Sequence, residues 1–163
     1  MATLLKGIVD QRALRVLNYA DNELGRETAE QISRILFWPN PTHLEKFILR
    51  NVKTNFYSIA IILSALKTNR RLIHFELEKV SLNNPKNFDY LCLFFKANRE
   101  IKNLRLSWNS LLPNQIIEVM SLIKRRKTIQ FLDLSYNSLA PEPRHMHLAK
   151  QFVNMMRRFI LRS

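Results

Sequence analysis

Few residues of this chain are spaced for covalent chemistry. His145 and His147 stand two apart, and on a helix that spacing points them to different faces. No second pair of ligands accompanies them, so no metal site is expected. Cys92 lies among Leu91, Leu93, Phe94 and Phe95, which suits a buried core thiol better than a nucleophile. The serines have no His/Asp constellation beside them, and nothing pairs two acids for proton transfer. The two glycines, Gly7 and Gly25, are too few and too far apart for a phosphate-cradling loop. The expectation is a protein that is not an enzyme, with no cofactor and no small-molecule substrate.

Non-covalent chemistry has more to work with. The chain carries 26 Lys+Arg against 13 Asp+Glu, a net charge of +13. That exceeds the ~2–8 that solubility requires and favours a polyanionic partner. The cations are clustered. "KTNRR" supplies Lys67, Arg70 and Arg71, and "KANRE" supplies Lys96 and Arg99. "KRRK" runs Lys124, Arg125, Arg126, Lys127, and the last segment adds Arg157, Arg158 and Arg162. These are 12 of the 26 basic residues, with Glu100 the lone acid among them. Cations at helix C-termini complement the helix dipole, each contributing roughly 0.3–1 kcal/mol. That accounts for one or two per helix and poorly for four in a row.

The elements that position these residues follow from a repeat. "LRLSWNSL" (104–111) and "LDLSYNSL" (132–139) agree at six of eight positions. Extended backwards, they read Ile101-x-x-Leu104-x-Leu106-x-x-Asn109-x-Leu111 and Ile129-x-x-Leu132-x-Leu134-x-x-Asn137-x-Leu139. Another copy is Leu14-x-x-Leu17-x-Tyr19-x-x-Asn22-x-Leu24. Two more, from Leu44 and Leu72, carry Val52 and Val80 in place of the asparagine, and the first of these ends in Thr54. The copies start at 14, 44, 72, 101 and 129, so they lie 30, 28, 29 and 28 residues apart. Alternating apolar residues within each copy predict a short strand. Helical spacing follows in 26–36, 57–67, 87–98 and 113–126. A lone strand–helix unit cannot bury its apolar face, whereas stacked units share a continuous core.

The pattern resembles the leucine-rich repeat family, in particular its ribonuclease-inhibitor-like class. The resemblance covers about 150 of the 163 residues. It implies an α/β solenoid: a right-handed horseshoe with a parallel sheet on the concave face and helices on the convex face. All 163 residues would form one domain, with 1–13 capping the first repeat and a helix over about 145–161 capping the last. The valines put the stacking of the second and third repeats in question, through looser packing or differently shaped turns. The resemblance also implies a protein-binding role, and a concave-face partner would meet Arg50, Glu76, Arg105, Trp108 and Tyr136. Glu76, Arg105 and Asp133 fall in one column and alternate in sign, so neighbouring strands can pair them. Trp108 and Tyr136 share a position in adjacent repeats and should be neighbours, free to stack on a base or to anchor a protein.

Two binding functions are therefore expected. The first is docking on structured RNA, ribosomal RNA being the leading candidate, beside other proteins of a large ribonucleoprotein. The cationic edge would contact phosphates through Lys67, Arg70, Arg71, Lys96, Arg99, Lys124, Arg125, Arg126, Lys127, Arg157 and Arg158. The alternative is an adaptor that holds a protein on the concave face or on an acidic surface. No apolar run approaches the ~20 residues of a membrane span. The lone cysteine suits a reducing compartment, and the cytoplasm is the expected location. The amphipathic N-terminus suggests a mitochondrial presequence as the lesser alternative, against which stand Asp10 and the lack of serine.

Overall fold

Each copy of the repeat contributes one strand to a common parallel sheet. The computed structural model describes residues 13–37, 43–80, 82–124, 126 and 128–138. The expected C-terminal helix and all of the N-terminal cap except Ala13 lie outside them. Among the described residues the chain is mixed α/β, with four helices. The strands are β1 (Val16–Asn18), β2 (Glu23–Leu24), β3 (Lys46–Arg50), β4 (Lys53–Thr54), β5 (His74–Glu78), β6 (Asn103–Arg105) and β7 (Phe131–Asp133). The helices are α1 (Arg26–Leu36), α2 (Phe56–Leu66), α3 (Pro85–Ala97) and α4 (Pro113–Ile123). The main sheet runs β1-β3-β5-β6-β7, parallel throughout. Its register pairs Leu17 with Phe47, Phe47 with Phe75, Phe75 with Leu104 and Leu104 with Leu132. Successive strands in this order are joined through a helix, as parallel pairing requires.

The core lies between the sheet and the helices. Phe47, Phe75, Phe94 and Phe95 are fully buried there, and the Phe75 and Phe94 rings meet at 4.7 Å. Burying each phenyl contributes about 2–3 kcal/mol. Helix α2 (FYSIAIILSAL) is apolar on most sides because it packs between α1 and α3. Its start is capped by Asn55, whose Oδ1 accepts from Ser58 N–H at 3.0 Å. Helices α3 and α4 begin with Pro85 and Pro113, whose missing N–H falls where no intrahelical acceptor exists. Helix α4 ends at Ile123, short of the expected 126, because the chain turns at Lys124 and the Arg126 N–H donates to the Ile123 carbonyl.

Buried side-chain amides tie one rung to the next. Asn109 is fully buried; its Nδ2 donates to the Leu77 carbonyl at 2.7 Å and its Oδ1 accepts from Val80 N–H at 2.9 Å. Asn137 repeats the arrangement one rung on, accepting from the N–H groups of Asn109 and Leu111 and donating to the Leu106 carbonyl. At the helix ends, Asn69 donates to the Leu36 carbonyl and accepts from Arg71 and Leu72 N–H. Asn98 does the same for Leu72, Glu100 and Ile101.

These bonds correct the expectation of looser stacking at the valines. Val80 is 2% and Val52 7% exposed. The turn at Val80 is satisfied from the following rung by Asn109. The turn at Val52 takes a different shape: β2 and β4 form their own small parallel ladder, and Thr54 Oγ1 donates to the Leu24 carbonyl at 3.0 Å. An unsatisfied buried polar group costs about 1–3 kcal/mol, and Asn109→Ala strands two. It should lower the unfolding free energy in denaturant by about 3 kcal/mol. Asn22→Ala removes only a local bond to the Ala20 carbonyl and should cost about 1 kcal/mol or less. Equal losses would show that Asn109 does not hold the rungs together.

Candidate functional site

Three surfaces gather the charged and aromatic residues. The first is the solvent-facing side of the sheet, where a chain of opposite charges crosses the strands. Arg50 lies 3.9 Å from Asp21 and 3.5 Å from Glu76. Arg105 lies 4.0 Å from Glu76 and 3.9 Å from Asp133. Glu76 sits at the centre and is only 5% exposed. Its Oε2 is 3.6 Å from His74 Nε2, while its Oε1 and that nitrogen make no hydrogen bond. Burial pushes the His74 imidazole below its ordinary value, and the charges of Lys46 and Arg105 add to this against the pull of Glu76. Asp133 is held below the usual carboxylate range: burial alone would raise it, but hydrogen bonds from Ser135 and the charge of Arg105 win. This surface has already matched most of its own charge.

The second surface is the row of loops at the helix C-terminal ends. They lie side by side: Thr128 Oγ1 donates to the Arg99 carbonyl at 3.2 Å, and Arg71 Nη1 is 2.9 Å from His43 Nδ1. Lys67 and Lys124 are the capping residues of α2 and α4, and Lys96 is in the last turn of α3. Arg70, Arg71, Lys96, Arg99 and Lys124 are exposed, and the Lys67 ammonium is 5.6 Å from the Tyr90 ring centroid. Lys67, Arg70, Lys96, Arg99 and Lys124 form no ion pair within 4.0 Å with any described carboxylate. Arg126 stands where the rungs before it have Asn69 and Asn98. It is half-buried, and its Nη1 donates to the Asn98 carbonyl. Burial and the nearby Arg99 lower its pKa. Arg126 thus links rungs instead of presenting its charge outward. Arg125, Lys127, Arg157 and Arg158 lie outside the described residues.

The third surface was only half visible in the sequence. Asp21, Asn51, Lys79, Trp108 and Tyr136 hold one repeat position, just past the strand, and all have φ between 51° and 58°. Asn51 Nδ2 donates to Asp21 Oδ1 at 2.8 Å. The Lys79 ammonium is 5.4 Å from the Trp108 ring centroid. Trp108 and Tyr136 stack at 4.0 Å with 14° between ring planes. They are 47% and 67% exposed. Aligning the copies finds the column, and Asp21 and Asn51 suit a left-handed backbone, but Lys79, Trp108 and Tyr136 give no sign of it.

Cys92 is buried beside α4, and burial together with Glu118 pushes its thiol up to about 12, which leaves it protonated and unreactive. Among the described residues, no group of three His, Cys, Asp or Glu could hold a metal ion, and no helix is long and apolar enough to cross a membrane.

No family model matches this chain. No curated protein matches it either. Among solved structures, the tropomodulin C-terminal domain from Caenorhabditis elegans aligns with a TM-score of 0.49 at 15% identity, covering 99% of this chain and 96% of that one. The likeness says nothing about what this chain binds.

The His74 pKa sets a pH dependence. Because folding depresses it, the unfolded chain takes up the proton first as pH falls through about 6.5. Stability should therefore decrease between pH 7 and pH 5.5, above the range where Asp133 titrates. Denaturant melts of His74→Asn should show less of this decrease. An unchanged pH slope would place its origin elsewhere.

Proposed function

We propose that this chain is a non-enzymatic leucine-rich-repeat protein that docks on structured RNA within a large cytoplasmic ribonucleoprotein. In this reading the strand–helix units wind into a right-handed horseshoe, sheet concave and helices convex. The edge formed by the helix C-terminal ends meets the phosphates.

One observation carries the reading: charge is matched on the sheet and unmatched on the edge. Arg50 and Arg105 have carboxylates on either side. Lys67, Arg70, Lys96, Arg99 and Lys124 have none among the described residues, and they recur at the period of the rungs. Like charges held close cost energy unless counterions or a polyanion neutralise them. Releasing those counterions is the main driving force for phosphate contacts, which fix position without reading sequence. The adaptor reading has less support, since Arg50, Glu76 and Arg105 already engage one another.

Salt-dependent RNA binding tests the proposal. The protein should bind structured RNA with a log–log slope of several units against salt. Replacing Lys96, Arg99 and Lys124 together by alanine should reduce that slope by about 2–3 units, at ~0.9 for each phosphate that a side chain no longer neutralises. Melting should fall only modestly, by the roughly 0.3–1 kcal/mol that each helix-end cation contributes, because none of the three side chains links rungs. Negligible RNA binding at low salt, or a slope indifferent to the triple substitution, would refute the edge as an RNA site.

A further inference from the structure

The column at Trp108 raises a question that the cationic edge does not answer. Its backbone is left-handed in every rung. Asparagine and aspartate tolerate that conformation best, whereas a bulky side chain there is a strained exception. The first two rungs comply, with Asp21 and Asn51. The last two place a tryptophan and a tyrosine there. Tyr136 is two-thirds exposed and Trp108 about half exposed, so burial offsets the strain only in part. Strain retained at an exposed position points to use.

The geometry of the column states what that use is. Lys79 approaches one end of the stack, at 5.4 Å from the Trp108 ring. Trp108 lies against Tyr136 nearly parallel. Tyr136 is the more exposed ring of the pair and the last of the stack among the described residues. We propose that Trp108 and Tyr136 form a stacking platform for an unpaired nucleobase, with Lys79 beside it to meet the flanking phosphate. A base added to Tyr136 continues a parallel stack already in place, and base–aromatic stacking tolerates any base identity. This inference rests on the RNA reading and sharpens it: the target is a paired segment with unpaired nucleotides next to it.

The two surfaces are well separated. The cations precede the strands and the aromatic column follows them. Strands β6 and β7, which lead to Trp108 and Tyr136, have three residues each, which at ~3.3 Å per residue puts about 10 Å or more between edge and platform. Paired RNA on the edge would extend its unpaired nucleotides across the sheet.

The test compares a blunt RNA duplex with the same duplex carrying a short unpaired adenosine tail. The protein should bind the tailed duplex about tenfold more tightly. The double variant Trp108→Asn, Tyr136→Asn should lose that preference while keeping its affinity for the blunt duplex. Asparagine suits the left-handed backbone, so its melting temperature should be unchanged or raised. The variant Trp108→Phe, Tyr136→Phe keeps the rings and should keep the preference, which separates stacking from folding. Equal binding of both RNAs by the unmodified protein, or a preference that survives the asparagine variant, overturns the platform and leaves the RNA reading standing. Binding of neither RNA at low salt overturns both, and a protein partner then becomes the occupant of the rings.

Discussion

Backbone N–H and C=O groups buried at the turns between strand and helix are the constraint on which this stack depends. Each rung enters and leaves the sheet once per period, and each passage directs polar backbone groups into an apolar interior. Leaving one unpaired costs about 1–3 kcal/mol. The molecule meets this with side-chain amides lent from one rung to the next. Asn109 satisfies Leu77 and Val80, and Asn137 satisfies Asn109, Leu111 and Leu106. Asn69 and Asn98 do the same at the other end of the strands. The apolar core supplies most of the driving force, but it is non-directional. The amides are directional, and they specify which rung faces which.

This division of labour explains why the basic segments are not uniform. "KTNRR" and "KANRE" each contain a buried asparagine flanked by outward cations. In the next rung Arg126 replaces the asparagine and reaches back to the Asn98 carbonyl. A positive charge is thereby drawn partly out of water, and its lowered pKa records the cost. On the sheet, Glu76 is pressed between Arg50, His74 and Arg105, so charge is cancelled within the surface. Among the described residues, charge is paired across the sheet face, while the cations Lys67, Arg70, Lys96, Arg99 and Lys124 along the edge have no carboxylate partner.

The left-handed column adds a third constraint, imposed by the turn rather than by the residues in it. Where the residues are small and polar, they bond sideways, as Asn51 does to Asp21. Where they are aromatic, they stack, as Trp108 does on Tyr136. Regular spacing of the rungs brings like positions within reach of each other, and the side chain decides what kind of contact results.

Much of this was legible in the sequence. The period fixes which residues share a column, so the Trp108–Tyr136 contact and the alternation of Glu76, Arg105 and Asp133 followed from alignment of the copies alone. The helical stripe of Ile116, Val119, Met120 and Ile123 was readable from spacing, and all four are buried. Three things were not readable. The valines at 52 and 80 have no asparagine of their own, because the partner lies one rung away for Val80 and a second small sheet replaces it at Val52. Arg126 looked like its basic neighbours, since composition does not distinguish a cation in water from one bonded to a carbonyl. The positive φ of Lys79, Trp108 and Tyr136 had no signal, because no glycine stands there. Periodicity is a local property of the chain, so the sequence by itself determined the elements, their stacking order and their columns. Only the tertiary structure decided which polar atoms meet across rungs and which charges stay unmatched, because those outcomes depend on distances of a few ångströms between residues about 30 positions apart.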